Sequence, residues 1–574
     1  MAKIIHLDIK NYRGIKHSSL KFKADQNLIC LIGRGDSGKT TILNAISSAL
    51  SPSWNLNFYD TDFYNCDHNE NIEITVSLTD IPEIFLSENK FGLYMRGFKI
   101  QNNTIVDDVT LEELNENLIA VLTIRLTVGK SLEPQWVVTN TREQEDKPIS
   151  SADRAHLSCY MISDYVDRHF SWNKGNPLYA LLKSTNSDEA SDNDLIVIQH
   201  LRKAKEEIDK NDFGSLNKAT TLIKSQAAEL GLDISKASTT LDSRELSIKD
   251  GRISLHEVSI PFRLKGKGSK RLASIAIQSV LVHNGGIMLI DEVEQGLEPD
   301  RVKQAARSLN GHHAGQIFIT THSRDAIAEL GSKALIFFLK DNNTDNIEIR
   351  YFDYSNEDLQ KTIRACPEAF FAKKVIICEG ATEVGICRAM DKWRKNKSLE
   401  QMSFNDCAYV DGTGNTIVQR INEINEVGIK TALFCDSDLS TINEEKPQWR
   451  ANGVSIFDCE DTLCLEQQVF KDLKWDGVKC LLQYAQNKHS DSFDTAFSDY
   501  ISNPIESWHD TPVLRSKIIS EFSGGSSGKK WFKAIHHGEA LGEIVFKHVD
   551  ETEHVTHLKT ILTGLSDWID EGDG

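Results

Sequence analysis

The 574-residue sequence predicts an α/β chain of two successive units, each organised on a parallel sheet. Three observations carry this reading. An apolar run, LICLIG, enters a glycine-rich loop at Gly33 and leaves it as a helical pattern. A second run, Ile287–Ile290, stops at the acidic pair Asp291-Glu292. Two further runs, Lys374–Cys378 and residues 432–435, stop at Glu379 and at Asp436-x-Asp438. Short continuous apolar runs set between helical patterns read as strands buried on both faces. Open sheets of that kind build their sites at the carboxyl ends of the strands, where all these polar residues fall.

In chain order, residues 3–9 and 18–23 alternate as strands about a turn at NYRGI. Gly33-Arg34-Gly35-Asp36-Ser37-Gly38-Lys39-Thr40 then fits GxxxxGK[ST], the P-loop, with an apolar strand before it and an amphipathic helix after it. Gly33, Gly35 and Gly38 let backbone N–H groups close round phosphates. Lys39 is expected on the β/γ-phosphates of ATP, and Thr40 on Mg²⁺. Residues 71–78 and 118–128 read as strands, 153–170 and 195–230 as helices, and the polar stretch 184–194 as a loop.

A loop rich in glycine and cations (Gly266, Gly268, Ser269, Lys270, Arg271) precedes an apolar helical run at 272–281, a second arrangement suited to phosphate. Asp291 suits the outer shell of Mg²⁺, and Glu292 stands where a residue that activates water is needed. GQIFITTHS ends a further strand at His322, a candidate sensor of the γ-phosphate. This unit is expected to close near residue 355.

The second unit starts at about residue 366. One Glu and two Asp delivered by neighbouring parallel strands repel one another unless a cation joins them, and oxygen ligands suit Mg²⁺ or Mn²⁺. Glu460 and Asp461 are expected to open a helix that also carries Glu466. SGGSSGKKWFKAIHHGEALGEIVF reads as a Gly/Ser loop, two lysines (Lys529, Lys530) and a helix, and a lysine there could neutralise charge on a scissile phosphate.

Composition bounds the function. Hydrophobic content of 40% and charged content of 26% are those of an ordinary globular protein. No apolar run approaches the roughly 18 residues of a membrane span, and MAKIIHLDIKN has no signal-peptide pattern, so no membrane partner is expected. The 11 cysteines have no zinc-like spacing and read as free thiols of a reducing cytoplasm. A net charge of −19 opposes non-specific adhesion to nucleic acid, so any DNA contact needs a local basic channel and bridging ions.

P-loop, Ser-Gly loop, Asp-Glu strand and strand-His, in that order, resemble an ABC-type ATPase. The two halves together resemble the OLD (overcoming lysogenisation defect) family of nucleases, which join such an ATPase to a TOPRIM domain, a Rossmann-like fold. The Gabija anti-phage nuclease subunit and OLD-type retron effectors share this plan. The resemblance implies an ATPase over 1–355 with a helical or dimerisation insertion at about 150–250, and a TOPRIM nuclease over 366–574 with a helical C-terminal part. It implies ATP capped across a homodimer or larger homo-oligomer by Ser269, and DNA as substrate. It implies Glu379, Glu383, Asp436 and Asp438 as metal ligands, Glu460 for a second metal and Lys530 as the phosphate-side lysine. Glu466 competes with Glu460, and Lys529 with Lys530. A defence partner, either a helicase or a reverse transcriptase with its DNA, is a further implication. The expected activity is two-metal DNA cleavage. The alternative is a RecF-like DNA-binding ATPase clamp whose TOPRIM domain is structural.

Overall fold

The computed structural model describes residues 2–107, 109, 113–171, 176–178, 180–181, 199–200, 203, 206–207, 221, 255–257, 259–283, 285–311, 315–340, 347–351, 357–413, 416–522, 528–549 and 555–572. Strands β1 (Lys3–Tyr12) and β2 (Ile15–Lys21) form an antiparallel hairpin, followed by β3 (Leu28–Gly33) and α1 (Lys39–Ala49). Strands β4 (Ile72–Thr79), β5 (Arg96–Lys99), β6 (Thr104–Val106), β7 (Leu118–Val128), β8 (Pro134–Val138) and β9 (Lys147–Pro148) extend the hairpin into an antiparallel sheet. Its order is β2-β1-β4-β7-β5-β6, with β8 and β9 continuing from β7.

The expected helix over 153–170 is corrected. Only α2 (Ser151–Ala155) is α-helical there, and β10 (Cys159–Ile162) is a strand. Cys-Tyr-Met-Ile pairs in parallel with β13 (Ile287–Ile290), so sheet pairing overrides the helical pattern read locally. The segments 184–194 and 195–230 lie almost wholly outside the described residues. A two-residue hairpin, β11 (His256–Glu257) with β12 (Ile260–Pro261), leads to α3 (Lys267–His283). That helix begins earlier than expected, so Gly268, Ser269, Lys270 and Arg271 form its first turn rather than a loop before it, a position that tolerates glycine.

After β13 come α4 (Pro299–Asn310), β14 (Gln316–Thr320), α5 (Arg324–Leu330), β15 (Leu335–Lys340), β16 (Ile347–Tyr351) and α6 (Glu357–Ala365). The central sheet runs β10-β13-β14-β3-β15-β16, parallel except for the edge strand β16. Both faces of β3 are buried. Ile29 and Leu31 pack with α1 residues Ile42, Leu43 and Ile46 under the antiparallel sheet, while Cys30 and Ile32 face the other side.

The second sheet comprises β17 (Lys374–Cys378), β18 (Cys407–Asp411), β19 (Lys430–Cys435) and β20 (Ser455–Asp458), in the order β18-β17-β19-β20 and all parallel. Between them lie α7 (Ala381–Asn396), α8 (Ile417–Glu426) and α9 (Ser440–Ala451). Beyond β20 follow α10 (Leu465–Asp472), α11 (Trp475–Lys488), α12 (Ser490–Ala496), α13 (Pro512–Ser520), α14 (Ile535–His548) and α15 (His557–Asp570). Alternation along β17 sends Val375 and Ile377 into a core shared with Cys30 and Ile32 of β3, and Ile376 and Cys378 into a core shared with α10 and α14. The two units are therefore joined by common packing. Among the described residues, no helix is long and apolar enough to cross a membrane.

Candidate nucleotide and metal sites

At the nucleotide site, β3 delivers the loop from Gly33 and α1 starts at Lys39. Lys39 is buried, and its Nζ donates to the Gly33 carbonyl at 2.9 Å, the Arg34 carbonyl at 2.6 Å and Ser37 Oγ at 3.0 Å. Burial lowers its pKa to about 8, with Asp291 and Asp36 opposing the shift. Asp291 Oδ1 accepts from Thr40 Oγ1 at 2.9 Å and from Thr320 Oγ1 at 2.7 Å, which locks the end of β13 onto the P-loop helix and β14. Glu292 follows with φ 48° and is exposed; partial burial, then Asp291 and Glu294, raises its pKa. Gly35 lies within the loop, Gly38 caps α1 at φ 88°, and Ser269 is exposed in the first turn of α3.

His322 donates its backbone N–H to Glu294 Oε1 at 2.6 Å, and Thr321 Oγ1 donates to Glu294 Oε2 at 2.6 Å. Burial, then the Lys39 charge, lowers the His322 pKa and favours the neutral ring. Glu294 escaped the sequence reading, although it stands two residues after Glu292. Arg271 also turns out differently from a cation aimed at phosphate. It is buried and donates to the carbonyls of Asp291, Glu292 and Ser163, so it braces the acidic turn from behind.

The second site lies at the carboxyl ends of β17 and β19. Glu379 donates its N–H to the Phe434 carbonyl at 3.0 Å, and Glu379 Oε2 accepts the Asp436 N–H at 2.9 Å, so the two strand ends are laced together. Oxygens of Glu379, Asp436 and Asp438 all lie within 4.8 Å of one another. Asp436 is buried, and its Oδ1 accepts the N–H of Leu465, the first residue of α10, at 2.7 Å. Burial pushes the Asp436 pKa up to about 8 against the pull of Lys533, with Glu466, Glu379 and Asp438 adding to the rise. Burial, then the Asp438 charge, raises that of Glu379 despite the Asp436 N–H.

Glu383, on the first turn of α7, caps that helix by accepting the Gly380 N–H at Oε2 (2.9 Å). It is fully buried, and its Oε1 has no hydrogen-bond partner. Burial, then Asp436, holds its pKa well above the ordinary carboxylate range. Glu466, 1% exposed, accepts from Thr382 Oγ1 at 3.2 Å. It sits on α10, whereas Glu460 lies before that helix, half-buried and paired with Lys471, and not at its opening as expected.

The cation that reaches this cluster is Lys533. Its Nζ is 3.4 Å from Glu466 and 3.7 Å from Asp436. Burial works against its charge, but Glu466, Asp436 and Glu383 outweigh it and raise its pKa. Lys529 pairs instead with Glu521 at 4.0 Å, and Lys530 is exposed. Lys533 is delivered because Trp531 and Phe532 are buried and α14 packs tightly on α7. A Cβ at Gly385 would meet Glu539 N at 2.4 Å, and one at Gly538 would meet the Thr382 carbonyl at 2.7 Å. The spacing of Gly385 against Gly538 and Gly542 is the sequence signal for this approach, legible only once the two helices are known to pair.

Lys446, buried on α9, grips the acidic turn from below. Its Nζ lies 2.9 Å from Asp458, 3.2 Å from Ser437 Oγ and 3.4 Å from the Asp436 carbonyl. Five carboxylates (Glu379, Glu383, Asp436, Asp438, Glu466) thus face two lysines. The converging oxygen set and the unpartnered Glu383 oxygen suit a hard divalent cation.

A family model described as an AAA ATPase domain matches residues 2–327, and one described as the TOPRIM domain of overcoming-lysogenization-defect-like proteins matches residues 370–438. No curated protein matches the chain. Among solved structures, the Smc head domain with an extended coiled coil from Pyrococcus furiosus, bound to the C-terminal domain of ScpA, is 13% identical. That match covers 62% of this chain and 97% of that one, with a TM-score of 0.36. The SMC head domain from Thermotoga maritima is 11% identical over 61% of this chain and 99% of that one, with a TM-score of 0.28.

Proposed function

The chain belongs to the OLD family, which fuses an ATPase domain to a TOPRIM domain, and on that premise we propose that it is a metal-dependent DNA endonuclease under nucleotide control. The observation that carries the reading is the convergence of Glu379, Asp436 and Asp438 within 4.8 Å, with Lys533 facing Asp436. In this reading Glu379, Asp436 and Asp438 hold Mg²⁺ or Mn²⁺. Glu383 and Glu466 serve a second ion in place of Glu460, whose charge Lys471 already takes up. Bound divalent ions supply Lewis acidity at a phosphodiester and lower the pKa of the attacking water. Lys533, in place of Lys530, faces the phosphate and offsets charge that grows on it. Its charge also relieves the field that a chain of net charge −19 presents to DNA.

At the other site Lys39, Thr40, Asp291 and Glu292 serve ATP and Mg²⁺, and His322 reads the γ-phosphate. Ser269 of one copy caps the nucleotide held by another, so the active form is a homodimer or larger. A cytoplasmic anti-phage role with a helicase or reverse-transcriptase partner follows from the family likeness, and the free state of all 11 cysteines fits a reducing compartment. The test is plasmid nicking in Mg²⁺ or Mn²⁺. Full activity in Asp436→Ala would end the assignment, and ATP-dependent DNA binding without cleavage by the unaltered protein would favour the clamp.

A further inference from the structure

The two sites sit at opposite ends of β17, and side chains from the nucleotide site reach its near end. Arg34, inside the P-loop, ion-pairs with Asp406 and donates from Nη2 to the Ser403 carbonyl at 3.1 Å. The Asp406 carbonyl in turn accepts the N–H groups of Lys373 (3.0 Å) and Lys374 (3.2 Å), and Lys374 is the first residue of β17. Two parallel contacts support this one. Arg324, two residues after His322, pairs with Glu368 at 3.1 Å. The His322 ring lies 6.3 Å from that of Phe371, three residues before β17. Strand β17 is five residues long, and Glu379 follows its last residue.

Nucleotide has a direct handle on Arg34. Lys39 Nζ donates to the Arg34 carbonyl at 2.6 Å. A P-loop lysine that turns to the β/γ-phosphates exchanges such bonds for phosphate oxygens. The peptide that Lys39 releases is the one whose guanidinium holds Asp406. The ion pair is part-exposed, with the side chains 41% and 23% accessible. Pairs of this kind are worth little individually, so a ligand with modest differential affinity can make or break one.

We propose that the Arg34–Asp406 clasp, backed by Arg324–Glu368 and His322–Phe371, transmits nucleotide occupancy at the P-loop to the strand that positions Glu379. Asp406 and Glu368 are positioning residues: neither belongs to the P-loop or to the carboxylate cluster, and each acts through an arginine of the nucleotide-site half. The functional consequence rests on the nuclease reading, whereas the mechanical link does not.

The experiment compares amide hydrogen exchange of the full-length protein with and without a saturating non-hydrolysable ATP analogue and Mg²⁺. Segments 366–374 and 403–408 are expected to change their exchange on nucleotide addition. Asp406→Asn removes the charge at a site of φ 55°, a conformation asparagine tolerates. It should abolish the response of 366–374 and 403–408 while segment 33–40 still responds. Glu368→Gln provides a second, independent cut and should weaken the response at 366–374. In nicking assays, the ratio of rates with and without the analogue should move toward one in Asp406→Asn by up to about fivefold, the factor a part-exposed ion pair carries. Wild-type segments 366–374 and 403–408 that ignore a nucleotide which protects 33–40 would overturn the proposal, as would wild-type responses in both variants. If no protein nicks DNA, the nuclease reading fails while the exchange data still decide the link.

Discussion

Lys533→Met isolates the contact on which the acidic site depends most. The ammonium lies 3.4 Å from Glu466 and 3.7 Å from Asp436. At an effective dielectric of about 20, the Glu466 pair is worth roughly 5 kcal/mol before desolvation, and the Asp436 pair adds a similar amount only above about pH 8, where that carboxyl is ionised. The lysine side chain is 42% exposed while its partners are nearly buried, so solvent screens it and the net value falls between an exposed pair and a buried one. In chelator, Lys533→Met should therefore lose about 2 kcal/mol of stability against urea. Saturating Mn²⁺ should recover much of that loss, because the ion balances the same carboxylates. Nicking should fall by about 10²–10³, the usual effect of removing one aimed donor, while Lys529→Met and Lys530→Met stay within about twofold of wild type. The reasoning fails if Lys533→Met nicks at the wild-type rate, or if its unfolding in chelator matches that of the parent.

Three further outcomes are expected. Asp436, with its pKa pushed up to about 8, keeps a proton in the folded protein that the unfolded chain has already lost above about pH 4. Metal-free stability therefore falls as pH rises toward 8. Since an ion must displace that proton, apparent Mn²⁺ affinity should rise by up to about tenfold per pH unit below 8, measured by calorimetry at pH 6.5 and 7.5; a flat profile would contradict the assignment. Glu466→Gln should loosen Lys533 and lower nicking by about tenfold or more, whereas Glu460→Gln should change it by less than about twofold; the reverse order would restore Glu460 as the ligand. Lys446→Met leaves the part-buried Asp458 with Arg450 alone, at 3.7 Å, and frees the Asp436-Ser437 turn, so a loss of about 2 kcal/mol is expected, visible as a lower urea midpoint with and without metal.

Much of this protein is legible in its local patterns. Continuous apolar runs identify β3, β13, β14, β17 and β19, since strands covered on both faces cannot carry alternating polarity. Each run ends in residues whose chemistry is evident from type and spacing: the P-loop, Asp291-Glu292, His322, Glu379 and Asp436-x-Asp438. What local patterns could not decide is what arrives from a distance. Lys533 lies 97 positions after Asp436 in the chain, Glu466 reaches the cluster through α10, and helix packing at Gly385 and Gly538 brings Lys533 beside the carboxylates, rather than either of the two lysines read from the sequence. Residues 159–162 read as helix and became a strand because β13 offered an edge. The Arg34–Asp406 pair is invisible in the sequence for the same reason. Strand identity and loop chemistry are set by neighbours a few residues away, whereas the pairing of charges across elements is set by which faces the shared core brings together.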